Sequence, residues 1–100
     1  MATTSKALFR GAASTSNTTL YTTPASTTAI VTNIVIANTA ATAATATINL
    51  NGTALISGVS VAANSSTVID LKQVITATQI ISGSASAITV NFHISGVEVA

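Results

Sequence analysis

The last thirteen residues, ITVNFHISGVEVA, set Ile88, Val90, Phe92 and Ile94 in alternation with Thr89, Asn91, His93 and Ser95. A strand points successive side chains to opposite faces, so this pattern predicts a half-buried β-strand with one apolar and one wet face. His93, the only histidine, falls on the polar side. Past Gly96 the apolar positions change from even to odd, at Val97 and Val99. One extra residue reverses the two faces of a strand. The change therefore predicts a β-bulge at Ser95-Gly96 that returns Val97 and Val99 to the apolar face, with glycine as the usual residue for it.

Other stretches carry the same period. Thr28 to Asn38, TAIVTNIVIAN, is the strongest apolar run, nearly continuous rather than alternating. Continuity predicts a central strand covered on both faces, by a partner sheet and by another subunit. In ATATINL, Ala44, Ala46, Ile48 and Leu50 alternate with threonine and asparagine. Asn51-Gly52 follows, the strongest short-range hairpin signal, and TALISG with Val59 and Val61 is the return strand. AANSS breaks the pattern, then TVIDLKQVI, starting near Thr67, and TQIISG give two more strands. A strand around Leu20-Tyr21 precedes Pro24, which bends the chain. Only ALFRGAAS reads as locally helical, and Gly11 would end it quickly.

Turn-forming stretches at intervals of about 8–12 residues are the spacing of an all-β sandwich or barrel. The fold class expected is all-β: a single-domain antiparallel β-sandwich, jelly-roll-like, with about 7–8 strands. The Thr/Ala/Ser bias of the first nineteen residues predicts an extended N-terminal arm over residues 1–15, ahead of a sandwich domain over 16–100. The arm would hold two of the three cations, Lys6 and Arg10.

Composition narrows the function classes. Lys6, Arg10, Lys72, Asp70 and Glu98 are the only charged residues, 5% of the chain with a net charge of +1, against about 25% in typical domains. That balance argues against a nucleic-acid footprint. A surface of Thr, Ser and Asn near zero net charge favours association. Cysteine is absent, so disulfides and thiolate metal sites are unavailable. No apolar run is long enough for a signal peptide or a membrane-spanning helix, so synthesis and folding in a cytoplasm, with no membrane partner, are the expectation.

Chemistry is sparse. A nucleophilic triad needs a base, an orienting carboxylate and a nucleophile in convergence. Glu98, five residues beyond His93 on the same strand, is poorly placed to orient it. His93 is therefore read as a residue of the wet face or of a subunit interface, not as a catalytic base, and the chain as a non-enzyme. Zinc wants three or four ligands, and three candidates exist in all; no metal or cofactor is expected. Asp70 and Lys72, two apart in DLK, read as an exposed pair with an interface role. Sequons at Asn17, Asn51 and Asn64 read as products of composition that mark turns. The isolated Thr-x-Thr pairs, Thr45/Thr47 and Thr76/Thr78, fall short of an ice-binding array, and only Phe9, Tyr21 and Phe92 could stack on a sugar.

Three stretches, TTLYTTPASTTAIVTNIVIANTAATAATATINLNG, NSSTVIDLKQVI and VNFHISGVEV, resemble small virion proteins of tailed bacteriophages, over most of the chain from about Thr18 to Val99. The shared features are an LYT-P opening, AIVTNIVIAN and a closing FHISGVEV, with a departure at Thr78-Gln79, where a glycine-containing loop is expected. The resemblance implies a compact β-sandwich on the virion, in a head-decoration (cement), head-to-tail or tail-tip role, without catalytic residues. It implies a capsid-surface protein made in the host bacterial cytoplasm, partnered by the major capsid protein and by itself as a homotrimer. Lys6, Phe9, Arg10, Asp70, Lys72 and His93 would then be capsid or subunit contacts. The alternative is a receptor- or glycan-binding module of a tail or fibre.

Overall fold

The structure, a computed structural model, describes residues 3–100. Eight strands run in chain order: β1 (Thr3–Ala12), β2 (Thr18–Thr22), β3 (Thr28–Asn38), β4 (Ala44–Leu50), β5 (Thr53–Val61), β6 (Ser65–Ile75), β7 (Ile80–Ala85) and β8 (Val90–Val99). Among the described residues there is no helix. The strands form two four-stranded sheets, β1-β8-β3-β6 and β2-β7-β4-β5, antiparallel throughout. Pairing β1 with β8, β2 with β7, β3 with β6 and β4 with β5 is the path of one long hairpin rolled up on itself. That is a jelly roll, the double-sheet solution to closing an antiparallel fold.

The core lies between the sheets and is almost wholly aliphatic. Val31, Ile34, Ile36, Ile48, Val61, Ile81, Val90, Phe92 and Ile94 are fully buried. Each contributes about 1.5–3 kcal/mol relative to exposure. β-Branched side chains suit this packing because their stiff χ1 fits a pleated surface. The hairpin at Asn51-Gly52 forms as the sequence predicts, with φ of 48° and 83°, the two positive values that a type I′ turn demands. Thr78 meets the missing glycine by taking φ of 70° itself. It is held there by Thr78 N–H donating to the Thr23 carbonyl and by the Gln79 side chain accepting from Thr76 N–H.

Two expectations need correction. Residues 3–15 are no arm apart from the sandwich: Thr3–Ala12, which takes in most of the weak helical candidate ALFRGAAS, is an edge strand paired along its length with β8. Residues 1 and 2 of the expected arm lie outside the described residues. Only tertiary pairing decides this, because an apolar pattern of Leu8, Gly11 and Ala13 is too weak to declare a strand.

The second correction concerns the bulge. β8 runs straight through Ser95-Gly96, and the irregularities fall on its neighbours. Leu8 is the extra residue of β1 between the partners of Ser95 and Ile94. Thr32 is the extra residue of β3 between the partners of Gly96 and Ser95. On β6, Leu71 and Lys72 stand opposite that same Thr32. Gly96 is glycine because a Cβ there would lie 2.3 Å from the Ile30 carbonyl oxygen and 3.0 Å from Leu8 Cδ1. Since β8 keeps its phase, Gly96 and Glu98 stay on the inner side while Val97 and Val99 point outward.

Candidate interaction face

The bulge line makes the outer surface of the β1-β8-β3-β6 sheet unusual. Reading across the strands by register, one row is Ser5, Val97, Ile30 and Val74. The next is Ala7, Ser95, Asn33 and Asp70, and the third is Arg10, His93, Val35 and Val68. Ala12, Asn91, Ala37 and Ser66 form a fourth row, and Thr3, Val99 and Thr28 close the face at the opposite end. Val68 and Val74 are each 60% exposed, while Ile30, Val35 and Val97 are half-buried. The continuity of TAIVTNIVIAN is thereby explained. Thr32 shifts its phase, so that Ala29, Val31, Ile34 and Ile36 face the core and Ile30, Val35 and Ala37 face out.

The opposite surface differs in kind. The outer side of β2-β7-β4-β5 sets Thr19, Ser82, Asn49 and Ala54 in one row, with Ser82 itself covered, Ser84 beside Thr47 in another, and Thr45 beside Ser60 in a third. No charged residue lies on those four strands. Arg10 and Asp70, by contrast, flank the valine-rich face, with Lys72 in the β6 bulge beside it.

Two polar clusters tie the sheets together at the ends of the sandwich. At one end Tyr21, on β2, donates from its hydroxyl to Glu98 on β8, and Lys6 on β1 pairs with the same carboxylate at 3.3 Å. Burial, then the hydrogen bond to Glu98 and its negative charge, push the Tyr21 hydroxyl well above the ordinary tyrosine range. The Tyr21 bond, helped by Lys6 and opposed by partial burial, holds Glu98 below the usual carboxylate range. At the other end Asn38, 2% exposed, donates to the carbonyls of Thr42, Val61 and Ala62. Its own oxygen accepts from Ala40 N–H and the Thr89 hydroxyl.

The six residues singled out as contacts therefore separate. Arg10, Asp70 and His93 share the outer face. Lys6 turns inward to Glu98, and Phe9 packs half-buried against the core. His93 and Glu98 sit on opposite faces of a straight strand and do not meet. Neither Tyr21 nor Phe92 is free to stack on a sugar, both being buried. Among the described residues no three carboxylate, imidazole or thiol groups come together as metal ligands. A cleft opens where the β5 and β6 edges face each other, over Leu50, Leu55 and Ile75, rimmed by Gln73 and Gln79. The continuity of TAIVTNIVIAN already pointed to an apolar outer side at Ile30 and Val35; what sequence reasoning missed is that Val68, Val74 and Val97 join it. The visible signal was the change of phase at Val97, which was assigned to the wrong strand.

No protein-family model matches this chain, and no curated protein compared with it matches.

Proposed function

We propose that this protein is a structural component of a tailed-bacteriophage virion, a capsid decoration (cement) protein that binds the major capsid protein between capsomers and contacts its own copies. The observation carrying this reading is the outward set Ile30, Val35, Val68, Val74 and Val97 on one sheet of a chain with only five charged residues. Repulsion between crowded copies is then small, and burial of that face stabilises each copy through its neighbours by mass action. Edge strands β1 and β6, each interrupted by a bulge, limit uncontrolled pairing while the face stays available.

The test is binding to heads assembled from the major capsid protein of the same phage. The purified protein should co-sediment with them and raise their resistance to heat. Val68→Asp with Val74→Asp, both at exposed positions of the single chain, should reduce that binding about tenfold or more by weakening contacts between neighbouring copies. Failure of the wild type to bind heads would overturn the reading. The uncharged hydroxyl-and-amide face of the other sheet favours a second reading, a glycan-binding module of a tail or fibre. Binding to host polysaccharide that survives the two valine substitutions and is lost with Asn49→Ala and Thr47→Ala would select it.

A further inference from the structure

We propose that the outer face of the β1-β8-β3-β6 sheet is a contact between two copies of this chain, packed face to face about a two-fold axis running along the strands between β8 and β3. This does not depend on where the protein works. The face is complementary to itself. Such an axis lays β8 of one copy over β3 of the other, and β1 over β6. Val97 then meets the partner's Ile30, a row of apolar surface buried twice. In the next row Ser95 faces the partner's Asn33, a hydroxyl against an amide.

The charges complete the match. Arg10 lies on β1 level with Val68, two residues from Asp70 on β6. Across the two-fold, Arg10 comes within side-chain reach of the partner's Asp70, about 6.6 Å along the strand from the position directly opposite. Lys72 lies two residues further along β6 from Asp70, away from that row. Within the chain the ion pair among the described residues is Lys6 with Glu98, which leaves Arg10 and Asp70 both exposed and oppositely charged on opposite edges of one face. Two such pairs form per contact, and opposite charges in register select the orientation as well as adding attraction. The other sheet's outer face has no charge with which to do the same.

The area suffices. Four strands about 4.8 Å apart and nine or ten residues at about 3.3 Å give roughly 600 Å² per copy. A pair would bury roughly 1,200 Å², above the roughly 1,000 Å² of a specific interface. A self-complementary face closes as a pair. The pair, rather than the trimer implied by the resemblance, is therefore the species in solution.

Light scattering over a hundredfold range of concentration should converge on 19.8 kDa, twice the 9.9 kDa chain. Arg10→Glu and Asp70→Arg should each raise the dissociation constant about tenfold or more by setting like charges opposite one another. The double variant should restore the pair, a rescue that no loss of folding would produce. Both sites are exposed, and circular dichroism checks that each variant is folded. A monomer at every concentration, a trimer, or a folded double variant no tighter than the singles would overturn the inference. Head binding is measured separately, so the virion reading can fail while the pair survives, and the reverse.

Discussion

Gly96 sits where bulged strands close in on both sides of β8, and a methyl group there would meet the Ile30 carbonyl oxygen at 2.3 Å. Backbone cannot yield as a flexible side chain would, so Gly96→Ala should cost about 3 kcal/mol or more, measured by chemical denaturation. An equally stable variant would mean that the bulges relax freely. Asn38 makes a contrasting case, since its amide satisfies four backbone groups, two in the loop after β3 and two at the end of β5. Asn38→Ala should lose about 2–4 kcal/mol by leaving buried partners unmade. Asn38→Asp should be worse than alanine at neutral pH, because a carboxylate would face three carbonyl oxygens where donors stood. The order of the two variants is the readout.

At the scale of elements, β1, β2 and β8 are tied at one end by Lys6, Tyr21 and Glu98. The raised Tyr21 hydroxyl gives stability that is whole below about pH 10, where unfolded tyrosine ionises, and lost as pH rises above it. The lowered Glu98 carboxyl gives stability present above about pH 4 and lost as pH falls below that value. Tyr21→Phe should therefore flatten the alkaline loss seen in thermal melts between about pH 9 and pH 11, while lowering stability at pH 7. A melting profile in that alkaline range as steep as the wild type's would show that the two sheets are not joined through this hydroxyl. The bulges act at the same scale. Leu8 and Thr32 each add one residue opposite β8, while β8 keeps its own alternation and so presents Val97 and Val99 to the outside.

For the whole molecule, the two outer surfaces of the jelly roll divide the work. One is Thr, Ser and Asn without charge; the other sets Val and Ile among polar side chains, with Arg10 and Asp70 on its two edges. A face that is buried only between copies makes stability depend on concentration. The apparent melting temperature should rise with concentration across the same hundredfold range that light scattering follows, and Arg10→Glu should move that rise to about tenfold higher concentration or beyond. A melting temperature independent of concentration would count against the paired face.

Much of the architecture was legible along the chain. Strands β3 and β4 keep the limits their patterns predict, and the Asn51-Gly52 turn forms, because period-two burial and turn chemistry are local properties. Poverty of charge and absence of cysteine were likewise fixed by composition alone. The polar-side position of His93 followed from simple alternation. Tertiary structure decided the rest. The N-terminal residues became an edge strand because β8 offers a long partner that no local signal announces. The phase change at Val97 reads identically whether the extra residue lies on β8 or on the strands beside it. Register between strands distant in sequence settles which, and with it which valines face the core and which are left for a partner.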